Sequence, residues 1–465
     1  MRIRMTSGWA IMLRISSAMA ILASATISIA AAPSSTSSWI VHPEWVKAHE
    51  DFLASTALQG RGSATRDEAI AAAYVASEFE RFSLKTAPGM GEYTQVARII
   101  RPRLADKPTL SLAGSSAPLS SFTLLMGSGD FSAHYELLAS ADPKQLPNEE
   151  IVVVTDPNAP LEDMMGAASD KNVRLLILSQ SAATERLFDR LGKTTRLRSY
   201  LEGTSPAQSL ALASLSGSDI AALKHGGGGT LILSARTVAE VAETTNAIGY
   251  LPGTDPSAGD LLISAHLDHL GVVDGTVMPG ANDDASGTTA VIELAHALSS
   301  GKPMRRGILF VCYGSEELGG FGSRYFGEHP PVPLSSIVAN LELEMIGSQD
   351  PKLPAGHLMM TGFERSNFGD ILTKSGALVS PDPYPEEHFF QRSDNYSLAL
   401  KGIVAHTVSG WAVVPTYHEP TDTVASLNIP YMTRAIQSLV LPLRSIADGG
   451  ETPKWKPGGR PTESE

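Results

Sequence analysis

Three short, almost uninterrupted apolar runs in the second half of the chain each end in groups able to bind a metal ion: residues 260–265 (DLLISA), 307–313 (GILFVCY) and 337–344 (IVANLELE). Runs of this length and polarity predict buried strands. Between the first two, Val291, Leu294, Ala295 and Leu298 recur at helical spacing in a segment that begins near Ser286. Strands alternating with helices predict an α/β fold: a mixed, mostly parallel open sheet flanked by helices. Such sheets place ligands in the crevice beyond the carboxyl ends of their strands, where these runs end.

Five segments supply the candidate groups. SAHLDHLG carries His266 and Asp268, GANDDASG carries Asp283, YGSEELGG carries Glu316 and Glu317, LELEMIG carries Glu344, and YHEPTDT carries His418. Each alone has an ordinary explanation, such as a loop histidine, an aspartate capping the helix near Ser286, or a solvated acidic turn. Asp268 apart, they amount to two imidazoles, three carboxylates and a spare carboxylate, the inventory for two metal ions and a general base. Asp283 has two oxygens with which to bridge a pair of cations. The adjacent Glu316 and Glu317 repel each other unless a cation or proton intervenes, and they suit one ligand and one base. Glu342 and Glu344 share a strand face, and Glu344, nearer the carboxyl end, is the better ligand. His269 competes with His266 for ligation, and Asp268 is placed to orient the histidine that binds. Mixed imidazole and carboxylate ligands favour zinc, with manganese or cobalt as substitutes.

Charge and cysteine usage exclude other classes. A formal charge of −13 over 465 residues argues against a nucleic-acid partner, which needs clustered Lys and Arg. Arg2, Arg4 and Arg14 lead into an Ala-rich apolar stretch that ends in Ala30-Ala31-Ala32. This pattern predicts a signal peptide over residues 1–32, removed on export, with no stable membrane insertion afterwards. Its loss removes three arginines and no acid, taking the charge to −16. Cys312, the only cysteine, sits within GILFVCY and reads as a small buried hydrophobe, not a nucleophile. An exported chain without an intramolecular disulfide must rely on its core, and a periplasmic or secreted location is expected from the signal peptide.

The rest of the chain divides by texture. Ile70, Ala73, Tyr74, Phe79 and Phe82 predict an amphipathic helix over residues 67–82, and residues 93–104 alternate like a strand. Residues 108–238 change character, with β-rich runs at 150–155 and 173–179 around a helical stretch at 161–170, and no clustered His, Asp or Glu. We expect a small β-rich inserted domain without chemistry at 108–238, a catalytic domain from 33–107 and 239–448, and a disordered tail over 449–465.

On these residues the chain resembles the secreted di-zinc aminopeptidases of the bacterial leucyl aminopeptidase and aminopeptidase Y type, distant relatives of glutamate carboxypeptidase. The resemblance covers about residues 246–425, including NAIGYLPGTDP ahead of SAHLDHLG. It implies the zinc exopeptidase fold, peptide substrates and two Zn2+ ions. One zinc would be held by His266 and Glu344 and the other by Glu317 and His418, with Asp283 bridging. Glu316 would be the general base and Asp268 the orienter of His266. The Asp283–Asp284 peptide bond is often cis in that family, and the insert is similar to a protease-associated domain. The chain departs from the family at Glu344, where Asp is common. QRSDNY, with Arg392 and Asp394, resembles a stretch that lines the cleft.

Two rival functions use the same scaffold. A di-zinc carboxypeptidase or other amidohydrolase needs basic residues by the cleft, for which Arg392 and Lys401 are the candidates. Glutaminyl cyclisation is disfavoured because it uses one zinc and all five ligand positions are present. A non-catalytic receptor-like protein would have lost ligands, and none is lost.

Overall fold

The computed structural model describes residues 40–204, 210–225 and 229–462. The expected signal peptide at 1–32 lies outside them. Among the described residues, no helix is long and apolar enough to cross a membrane.

Strands β1 (Thr94–Leu104), β2 (Thr237–Leu251), β3 (Asp260–His266), β4 (Gly307–Tyr313), β5 (Ile337–Glu344) and β6 (Ala405–Ser409) form the body of a nine-stranded sheet. At its centre β4, β3, β5 and β6 are adjacent and parallel, while β1 and β2 add on antiparallel beside β4. Every residue of β3 and β4 is buried, as expected of strands covered on both faces. The covering helices include α1 (Pro43–Leu53), α2 (Arg66–Arg81), α3 (Ser286–Ser299) and α4 (Phe321–Glu328), with α5 (Ile429–Ala447) following the last strand. Helix α3 is buried along most of its length, and its apolar side chains share one core with β3, β4 and α5.

Because four neighbouring strands run the same way, their carboxyl ends lie along one edge. This edge receives His266, the loop with Glu316 and Glu317, and Glu344.

Strands between Thr109 and Ala235 build a second, seven-stranded sheet in which Gly129–Leu138, Ile151–Val154, Leu175–Ser179 and Ala211–Leu215 are consecutive neighbours, while Tyr200–Leu201 pairs with β1 of the main sheet. It has its own cores around Ile151, Val153 and Ile177 on one face and Val152, Met164 and Leu176 on the other. It returns to the main sheet through β2, which pairs with β1 over eleven residues from Thr94↔Ala247 to Leu104↔Thr237.

Two expectations are corrected. Helix α2 buries Ala71, Ala72, Val75 and Phe79, whereas Ile70 is 36% exposed, so the inner face is rotated from the predicted one. Small alanines let α2 approach the sheet closely and leave the larger Ile70 at the rim. The described part of the tail, residues 449–462, packs against the domain. Trp455 donates from Nε1 to the carbonyl of Gly402 and packs against both main cores. Residues 454–456 also exchange backbone hydrogen bonds with Arg365 and Asn367. Composition misled because one indole anchors a segment that has no apolar period.

Candidate metal centre

His266 ends β3, and its ring is held from behind. Nδ1 faces the Asp268 carbonyl at 3.2 Å, which leaves Nε2 directed at Asp283 Oδ1, 3.3 Å away. The Asp268 carboxylate accepts the backbone N–H groups of Glu316 at 2.9 Å and Glu317 at 3.3 Å, and the Ser63 hydroxyl at 2.5 Å. It therefore ties the loop after β3 to the loop after β4.

Asp283 lies in the turn that enters α3, and its peptide bond to Asp284 is cis. That turn is held by two further acids. Asp422 accepts the N–H groups of Asn282 and Asp283 at 2.9 and 3.1 Å. Asp284 accepts those of Gly287 at 2.9 Å and Met345 at 3.0 Å. At Gly287 a Cβ would come within 2.4 Å of the Asp284 carboxylate, so only glycine admits this contact.

Three residues without the freedom of glycine take left-handed backbone here: Ser315 before Glu316, Met345 after Glu344, and His418 itself, with φ of 53°, 52° and 56°. Such strain gathers where the surrounding structure has to aim a side chain.

The candidate ligands converge in two groups that share Asp283. His266, Asp283 and Glu344 form one, and His269, Asp283, Glu317 and His418 form the other, each with ligand atoms within 4.8 Å of one another. His418 Nε2 is 3.2 Å from Asp283 Oδ2 and 3.3 Å from Glu317 Oε2. Two ligands about 2.0–2.1 Å from a tetrahedral ion stand roughly 3.3 Å apart, so these separations fit a shared cation. The Nε2 atoms of His266, His269 and His418 are all buried without a hydrogen-bond partner, as free ligand lone pairs would be.

Electrostatics also fit a cationic occupant. Burial pushes the carboxyls of Glu316, Glu344 and Asp284 upward. Burial acts the same way on Asp283, but hydrogen bonds from His266 and His418 outweigh it and hold that carboxyl below the usual range. For His418, burial favours the neutral ring, yet Asp283 and Glu317 raise it to about 10. So many buried acids beside three imidazoles are a costly arrangement that divalent cations relieve.

Glu342 stands apart from both groups and meets Ser264 in the strand layer. Asp394, with both oxygens unpartnered and its carboxyl pushed by burial to about 7, lines a cavity of about 460 Å³ together with Glu316, Arg324, Arg392 and Lys401. Arg392 lies over Phe389 and pairs with Glu387 at 3.4 Å.

Glu68 was missed in the sequence. It is buried, and its carboxylate accepts the Ser315 N–H at 3.0 Å, the Thr245 N–H at 2.9 Å and the Ala64 N–H at 2.7 Å. The only local signal was Thr65 followed three residues later by Glu68, which reads as a helix cap. Thr65 does cap α2, but Glu68 reaches across to the loop that carries Glu316.

Fold and site together define an α/β protein with two candidate metal-binding groups at the carboxyl edge of a central sheet. Residues 246–442 match the model of Peptidase family M28. Leupeptin-inactivating enzyme 1 of Streptomyces exfoliatus is 38% identical over 227 residues, which is 45% of this chain and 50% of that protein. The probable lipoprotein aminopeptidase LpqL of Mycobacterium tuberculosis is 28% identical over 213 residues, 45% of this chain and 39% of its own length. The matches thus span half or less of these curated relatives. Among solved structures, an aminopeptidase from Aneurinibacillus sp. strain AM-1 superposes with a TM-score of 0.58 at 19% identity, covering 89% of this chain and 95% of that one. The zinc aminopeptidase BSAP of Bacillus subtilis gives a TM-score of 0.55 at 19% identity, covering 91% and 98%. These two show that the fold is shared, second sheet included.

Proposed function

We propose that the protein is an exported zinc aminopeptidase, periplasmic or secreted, that removes N-terminal residues from peptides. The observation that carries this reading is the pair of ligand groups meeting at Asp283 with Glu316 beside them. His266 and Glu344 would hold one zinc, Glu317 and His418 the other, and Asp283 both. Bound there, two zinc ions supply Lewis acidity for the scissile carbonyl and the attacking water. Glu316 takes the proton of that water and delivers it to the leaving amine. Asp268 keeps His266 and the Glu316 backbone in register with each other. A small recess of about 40 Å³ lies beside Glu344, where Met345, Met359, Phe389 and Tyr417 mix with Thr361 and Arg392. The aminopeptidases among the relatives support peptide substrates, and the insert at 108–238 serves without chemistry of its own.

A second reading is a carboxypeptidase on the same centre. Arg324, Arg392 and Lys401 around the Glu316 cavity favour it, since they could receive a terminal carboxylate. The test is hydrolysis of amino-acid p-nitroanilides and of N-acylated dipeptides by mature protein, with chelator and then with restored zinc. Zinc-dependent release from Leu-type p-nitroanilides is expected. Silence there with turnover of the acylated dipeptides would replace the aminopeptidase reading by the second.

A further inference from the structure

His269 belongs by position to the second ligand group, yet its distances differ from those of the other members. Its Nδ1 is 2.8 Å from Glu317 Oε1 and 3.8 Å from Asp283 Oδ2. The pairs that suit a shared ion, His266 with Asp283 and His418 with both Asp283 and Glu317, stand at 3.2–3.3 Å. A tetrahedral ion imposes roughly 3.3 Å between its ligands, so one contact of His269 is too short for that role and the other too long. The short one has the length of an N–H···O bond to a carboxylate, about 2.7–2.9 Å.

The ring is fixed where it stands. It is fully buried. Its backbone N–H donates to the Arg61 carbonyl at 3.1 Å, and its carbonyl accepts from Ser63 at 3.2 Å. Arg61, buried as well, donates to the carbonyls of Leu53, Leu267, Pro279 and Gly280 at 2.6–2.9 Å and so locks the loops on either side. Gly280 closes the other flank, because a Cβ there would lie 2.5 Å from His269 Cγ.

We propose that His269 is a positioning residue: its Nδ1–H donates to Glu317 Oε1 and so presents Oε2 to the ion that Glu317 shares with His418. The inference rests on the two-zinc reading above. It explains why Glu317 aims one oxygen at each histidine. It also makes the two metal positions unequal, since the position with His418 then depends on a hydrogen bond to its carboxylate ligand.

The test compares zinc binding by the wild-type protein, His269→Ala and His269→Asn in buffers of graded free zinc, with bound metal counted by mass spectrometry. The alanine variant is expected to bind its weaker zinc on the order of 10–100-fold less tightly, with the other ion unaffected. The asparagine variant, whose amide N–H can stand near the place of Nδ1, should recover most of that loss. An alanine variant that binds both ions like the wild type overturns the proposal. An asparagine variant no better than alanine also overturns it and makes His269 a ligand. If the alanine variant does not fold, visible spectra of the cobalt-substituted wild type and His269→Asn decide: matching d–d bands are expected, and a shift reporting loss of a nitrogen ligand overturns it. Wild-type protein that binds no zinc would instead remove the two-zinc reading itself, so the two failures are distinct.

Discussion

Asp268 Oδ1 accepts the backbone N–H of Glu316 at 2.9 Å, joining the loop after one central strand to the loop after its neighbour. The same residue offers its carbonyl to the His266 ring. One side chain and its own backbone thus set the spacing between a ligand and the proposed base. Asp268→Asn loses an acceptor for at least one of Ser63, Glu316 and Glu317. We expect kcat to fall about 10–100-fold while the fold persists. Steady-state kinetics with circular dichroism would check it, and an unchanged kcat would remove Asp268 from the positioning machinery.

Glu316→Gln keeps the shape of the side chain and deletes the base. Turnover should drop by about 10²–10⁴-fold with both zinc ions retained. Metal analysis beside the p-nitroanilide assay reads both quantities. Near-normal activity would mean that another group moves the proton.

Glu50 is buried on α1, beside Thr289 and Arg61. Burial pushes its carboxyl up to about 8, with Thr289 and Arg61 offsetting part of that cost. The folded chain then holds this proton more tightly than the unfolded chain does. This contribution to stability is full below about pH 4.5 and is lost as pH rises to about 8. Glu50→Gln should therefore melt several degrees or so above the wild type at pH 8 and close to it at pH 5. Thermal melts at the two values decide, and an equal difference at both would show that Glu50 does not titrate in this range.

Trp455→Ala tests the packed tail. The indole is half-buried between two cores and bonded to Gly402, so its loss should cost about 2–4 kcal/mol in urea unfolding. A change near zero would indicate that the tail packs without contributing to stability.

Three of the candidate ligands were legible because each ends or follows an apolar run, and buried strands of a parallel sheet deliver their carboxyl ends to one place. His266, Glu317 and Glu344 could be proposed from their own few neighbours. Glu68, Asp284 and Asp422 could not be given their roles that way, because their partners are backbone amides elsewhere in the chain. Glu68 reaches Ser315 across 247 positions, and Asp422 reaches Asp283 across 139. Helix α2 was legible as a helix, but its inner face was not, since close packing on the sheet selects small alanines over Ile70.

By itself the sequence determined the buried strands, the helix that follows Asp283 and the kinds of group available as ligands. These depend on local periodicity and on composition at strand ends. The tertiary structure alone decided that His269 Nδ1 stands 2.8 Å from Glu317, that Asp268 couples two loops, and that a polar tail packs down through Trp455. Those outcomes depend on distances of a few tenths of an ångström between residues far apart in the chain. Only the closed packing of the whole chain sets them.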